Sequence, residues 1–197
     1  MKKVLIFTVG VAATWLYFSA ESTVILKPGV QVTVAPQQSD ISDVKPFTFK
    51  GYSITPLANI DFSAKILSKK NYSSGELAKL VPVDLALGWQ NMSDQTVIDQ
   101  LTISQSNRWY RWSGSGTPPI PLKEIQTQSA NMHMVPANNQ VEHVLKKTKK
   151  GQIISISGYL ININDKNRVW KSSLTRNDTG GGACEIIYVR SLDILVQ

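Results

Sequence analysis

Cys184 and His133 are the two side chains with which this chain could do nucleophilic chemistry. A thiolate attacks a carbonyl carbon when an imidazole holds its proton and a third group orients the ring. Arg176, Asp178 and Glu185 stand near Cys184 in sequence as positive or orienting partners. Gly180, Gly181 and Gly182 offer backbone N–H groups to an oxyanion. The set outlines a thiol-dependent envelope transferase or hydrolase, with Cys184 as nucleophile, His133 as base and Arg176 as electrostatic partner. Exported transpeptidases and sortases also place a cysteine at one end of a late strand, with a histidine upstream and an arginine nearby. The Gly-Ala-Cys-Glu context here matches the cysteine motif of neither. A negative charge on Glu185 would also oppose thiolate formation. A free cysteine is more commonly a small apolar residue at a buried strand position.

A second set is Arg108, Trp109, Tyr110, Arg111 and Trp112. On a strand, Arg108, Tyr110 and Trp112 share one face and Trp109 and Arg111 the other. One face suits a core; the other suits a partner recognised through aromatic and cationic groups. Arg176 to Asp178, just before three glycines, suits a binding loop. His133 and His143 lack the spacing of a metal site, and a single cysteine excludes a structural cysteine-rich zinc site, so no metal or cofactor is expected. One cysteine also excludes a disulfide within the chain.

These residues must be carried by a β-rich scaffold. Phe62, Ala64 and Ile66 alternate with Ser63 and Lys65, a strand pattern. Val83 to Leu87, after Pro82, reads as a short helical or turn segment. Ser93 is placed to cap a helix from Asp94 to Leu101. Ile103 to Trp112 reads as one strand ended by Gly114, Gly116 and the Pro118–Pro121 break. Asn138 or Asn139 opens a helix through Lys147, whose terminal lysines suit the helix dipole and whose stop suits Gly151. Gln152 to Asn164, Val169 to Leu174, and Cys184 to about Val189 read as three strands in meander order, with a turn at Asp165–Asn167. The expected fold is α+β: a curled antiparallel sheet or small barrel over residues 51–197, with two or three short helices.

The chain begins with Lys2 and Lys3, an uncharged apolar run from Val4 to Ala20, and then Glu21. That is an export signal or a membrane anchor. The run just reaches the roughly 17–25 residues of a spanning helix. Phe18 or Tyr17 would occupy a cleavage position where small residues are wanted. Trp15, Tyr17 and Phe18 cluster at the outer end, as aromatics do at an interface. Residues 1–20 are read as a single-pass inner-membrane anchor with the C-terminal part in the periplasm, or alternatively as a cleaved signal. Residues 21–50, interrupted by Pro28, Gly29, Pro36 and Pro46, read as an extended tether.

The net charge is +7, part of it in Lys146, Lys147, Lys149 and Lys150. A solvated helix end accounts for this run, and contact with an anionic lipid surface is the alternative. An exported chain with no recognition motif is not expected to bind nucleic acid.

Several segments occur together in order: Pro82–Trp89 with Met92-Ser93-Asp94, Ile103-Ser104-Gln105 with Arg108–Trp112, Ser129–Ala137, Gly158-Tyr159-Leu160, and Ser172–Arg176 running on to Asp178, Gly180, Ala183, Cys184 and Glu185. In these the chain resembles a family of uncharacterised exported or membrane-anchored bacterial proteins, over roughly Tyr52 to Val189. The resemblance implies one exported domain and brings no activity, cofactor or partner. The leading expectation is a non-enzymatic, membrane-tethered module that binds an envelope protein or another envelope component.

Overall fold

Two short strands, β1 (Gln37–Ser39) and β2 (Phe47–Phe49), lead into β3 (Tyr52–Asn71), the longest element of the computed structural model. The structure describes residues 23–196 apart from 76, 166, 167, 179 and 181. Along β3, Ile54, Ala58, Ile60, Phe62, Ala64 and Ile66 are buried. Strand β4 (Val83–Gly88) follows, then a 3-10 turn at Gln90–Ser93 and the one-turn helix α1 (Gln95–Ile98). A hairpin of β5 (Thr102–Ser106) and β6 (Trp109–Ser113) precedes α2 (Leu122–Thr127), β7 (Ser129–Pro136) and α3 (Asn139–Lys147). Strands β8 (Ile153–Asn164), β9 (Val169–Trp170) and β10 (Glu185–Val196) complete the chain.

The main sheet runs β3-β4-β7-β10-β8, and β8 pairs back onto β3, so these five strands form a closed ring. Strand β3 closes it because it is long enough to serve two neighbours. Ser53–Lys65 lie opposite β8, and Lys65–Asn71 lie opposite β4, with a register shift between Ile66 and Ser68. Such a bulge bends a strand and lets one element turn a barrel corner. Gly158 on β8 is needed for the same closure, since a Cβ there would run into the backbone of Tyr188 on β10.

The barrel interior holds Ile60, Phe62, Leu85, Leu87, Met132, Met134, Ile154, Leu160, Ile187 and Val189, with Val141 and Leu145 of α3 packed against them. Two further apolar clusters lie outside the ring. One joins Leu77, Leu80, Val81, Val135, Ile163 and Ile186. The other joins Ala86, Met92, Val97, Ile98 and Ile125 with Tyr110 and Trp112 of the hairpin.

Several expectations change. The sheet is mixed, because β10 runs parallel to β7 while pairing antiparallel with β8. The last three strands are therefore not a meander: β10 is inserted between β7 and β8. Val83–Leu87 is a fully buried strand, not a helical turn; a short apolar run has no period that separates the two. Ile103–Trp112 is a hairpin, turned by Asn107 and Arg108 at φ +50° and +68°. Positive φ at both central residues is the geometry that matches hairpin twist. Asp94, not Ser93, caps α1, accepting from the Thr96 N–H at 2.9 Å. Helix α3 is as expected, with the Asn138 side chain accepting from the Val141 N–H.

The stretch expected as an extended tether carries β1 and β2 and lies against the barrel. The Gln31 and Val32 N–H groups both donate to Ser93 Oγ at 3.0 Å, and Val32 is buried. The expected anchor, residues 1–20, lies outside the described residues. Among those described, no helix is long and apolar enough to cross a membrane.

Candidate active site

Strand pairing across the barrel wall sets Asp84 of β4 directly opposite His133 of β7, and Ile186 of β10 beside His133 on the other side. Along β7, Met132 and Met134 enter the interior, so Asn131, His133 and Val135 alternate onto the outer face. Asp84 Oδ1 lies 2.9 Å from His133 Nδ1, with the Nδ1–H bent off the line between them. The same oxygen accepts from Arg108 Nη1 at 2.7 Å. Arg108 is fixed in turn: Nη2 donates to the Val81 carbonyl at 3.0 Å, and the guanidinium lies 3.5 Å from the Tyr72 ring centroid.

Burial alone would pull the His133 imidazole down from its ordinary value. Contacts with Asp84 and with the Cys184 sulfur outweigh it and push the ring up to about 9. His133 therefore carries its proton at neutral pH, held between a carboxylate and a sulfur.

Cys184 is half-buried at the end of the loop that delivers the chain into β10. The Ser173 N–H donates to the Cys184 carbonyl at 3.1 Å, and the Ile186 N–H to Ser172 Oγ at 3.0 Å. These two bonds hold the cysteine in the fold. Asn131 Nδ2 lies 3.6 Å from Cys184 Sγ while donating to the Arg108 carbonyl at 2.9 Å. Gln105 Nε2 donates to Asn131 Oδ1 at 2.7 Å, which fixes the amide with its NH₂ toward the sulfur. A donor so placed can reach an oxygen on a carbon bonded to Sγ, as an oxyanion site requires.

Glu185 follows Cys184 but shares the strand parity of Ile187, an interior residue. Its carboxyl is buried and neither oxygen has a hydrogen-bond partner. Arg176 Nε stands 3.8 Å from Oε1, beyond hydrogen-bonding reach. The terminal guanidinium nitrogens of Arg176 instead face Gln38, whose amide oxygen, turned toward them, accepts from both. Burial pushes Glu185 up to about 8, with Arg176 opposing only in part. At neutral pH Glu185 is mostly uncharged, so the expected opposition of this residue to a thiolate is removed.

Two clefts meet at Cys184. One, of about 390 Å³, is lined by Trp109, Trp112, Asn131, Arg176, Asp178 and Glu185 among others. The other, of about 240 Å³, is lined by Arg108, Trp109, His133, Trp170, Lys171 and Ile186 among others. Trp109 and Cys184 belong to both.

The sequence-derived candidates are thus largely brought together, with changed roles. Trp109 and Arg111 are exposed, while Tyr110 and Trp112 pack into the core beneath the hairpin. Burial pushes the Tyr110 hydroxyl up to about 12, and it donates to Ser129 Oγ. Arg108 is not on the strand face with Tyr110; it sits in the turn and braces Asp84. Arg176 does not approach His133's carboxylate partner; it faces Glu185, and Asp178 accepts instead from Ser173 Oγ at 2.7 Å. Of the three glycines, Gly181 lies outside the described residues. Asp84 and Asn131 escaped sequence reasoning. The signal for Asp84 was a lone acid within the apolar run Val83–Leu87. Among the described residues, no group of three or more His, Cys, Asp or Glu side chains is arranged to hold a metal ion. No protein family, curated protein or solved structure matches this chain.

Proposed function

We propose that the protein is a thiol-dependent acyl transferase or hydrolase of the bacterial envelope. The observation that carries this reading is the convergence of Asp84 on β4, His133 on β7 and Cys184, the residue just ahead of β10, with Cys184 standing where two clefts meet. Cys184, having passed its thiol proton to His133, attacks a carbonyl carbon through the sulfur anion, and Asn131 donates to the oxygen that becomes negative. The C–X bond breaks as His133 gives its proton to the leaving atom. Water or an amine then returns a proton to His133 and displaces the acyl group from sulfur. Asp84, braced by Arg108, is a positioning residue: it orients the ring and favours its charged form. The site works outside the cytoplasm, held at the membrane by residues 1–20 or released into the periplasm after cleavage.

Alkylation of the full chain by iodoacetamide, followed by mass spectrometry, tests the reading. Native Cys184 is expected to react, and His133→Ala to slow it on the order of 10²-fold. A thiol that stays inert until denaturation, or a rate indifferent to His133→Ala, removes the enzyme reading.

The second reading is the binding module. It is favoured by exposed Trp109 standing with Arg111, Arg176 and Asp178 around a single cleft. It expects Cys184→Ser to leave function intact, whereas the enzyme reading expects complete loss at unchanged abundance.

A further inference from the structure

Cys184 is open to two clefts, but His133 lines only one of them. A general acid must stand on the side where the leaving group departs, because its proton goes to that group. The larger cleft, with Trp112, Arg176 and Asp178, is then the acyl side, and the smaller one is the leaving-group side. The smaller cleft has a definite charge. Its lining includes Arg108, His133 and Lys171 and contains no acidic residue. Asp84 contacts both Arg108 and His133 from behind and offsets one of their two charges. Lys171 is exposed, next to the half-buried Trp170 ring, and has no such carboxylate among the cleft's lining residues.

We infer that the smaller cleft selects leaving groups, and by reversal acyl acceptors, that carry a carboxylate, with Lys171 as the residue that reads it. This rests on the thiol-enzyme reading and adds the chemistry of one half of the substrate. In the acylation step Cys184 sulfur bonds to the acyl carbon, and the bond from that carbon to the leaving atom breaks. The electron pair leaves with the anionic group, which takes its proton from His133.

Two thioesters that share an acetyl group isolate the leaving side: S-acetyl 4-mercaptobenzoate and S-acetyl 4-mercaptobenzamide. The full chain is mixed with each, and single-turnover release of the aryl thiol is followed by absorbance. The carboxylate ester is expected to react about tenfold faster, the effect of one hydrogen bond to a charged group. Lys171→Gln should bring the ratio to near one, and Lys171→Glu should invert it. Equal release of both esters, with both still abolished by Cys184→Ala, overturns the carboxylate assignment alone. So does a preference that survives Lys171→Glu. Release from either ester no faster than with Cys184→Ala overturns the thiol-enzyme reading and this inference with it.

Discussion

Two buried ionic groups flank Cys184, and they are built in opposite ways. On one side Asp84 Oδ1 is within 2.9 Å of both Arg108 and His133, accepts a hydrogen bond from Arg108, and leaves Oδ2 without one, while Arg108 has further anchors in Val81 and Tyr72. On the other side Glu185 and Arg176 stand 3.8 Å apart without a hydrogen bond, and both Glu185 oxygens are unpartnered. A buried charge is tolerated when it is paired and hydrogen-bonded; otherwise it gives up its charge. The first group is therefore a fixed array that keeps His133 protonated. The second is a carboxyl that keeps its own proton to about pH 8. The difference teaches that proximity of opposite charges is not a salt bridge: geometry decides whether the pair or the neutral acid prevails.

Breaking the first group should have the largest effect on stability. Asp84→Ala strands Arg108 and a buried imidazole, and is expected to cost about 3–5 kcal/mol in urea unfolding. A loss no larger than that of a surface substitution would mean that the two groups are not different in kind.

Glu185→Gln should act in the opposite direction. The folded-state value lies near 8, above the ordinary 4.5, so the folded chain holds this proton more tightly than the unfolded one. The associated stability is complete below about pH 4.5 and lost as pH rises through 8. Glutamine has no proton to lose. The variant should match the parent near pH 4 and exceed it above pH 8 by on the order of a few kcal/mol. Equal pH profiles for the two proteins would show that Glu185 is charged and paired after all.

His133 sharpens the comparison from the other side. Its value of about 9, against an ordinary 6.5, also places its contribution at low pH. That contribution is complete below about 6.5 and lost as pH rises through 9. The urea midpoint should fall between pH 6.5 and 9 more steeply in the parent than in His133→Ala. The smallest effect is expected at the exposed Lys146–Glu142 pair on α3, 2.6 Å apart. Lys146→Ala should shift stability by no more than about 0.5 kcal/mol, which sets the scale for an ion pair left in water.

How much of this was legible beforehand follows from how far each signal reaches along the chain. Alternation along Phe62–Ile66 marks part of β3, the β-rich run Gln152–Asn164 marks β8, and Asn138 or Asn139 with the terminal lysines marks α3. Cys184 and His133 stood out by residue type. The hairpin turn at Asn107–Arg108 lacks the glycine that usually marks one, so the sequence pattern runs Arg108 on as a strand residue. Asp84 was hidden because its run gave no helix or strand period, although one acid among apolar residues marked it as unusual.

The sequence by itself determined the local periods, the caps, the basic apolar start and the single cysteine that forbids an internal disulfide. Those features depend on residues within a turn or two of one another. Only the tertiary structure decided that β3 bends at a bulge to close the ring and that β10 enters between β7 and β8. That pairing sets Asp84, His133 and Cys184 side by side and leaves Glu185 and Arg176 mismatched. The physical reason is that strand partners are chosen by non-local pairing and burial, which no short window of residues specifies.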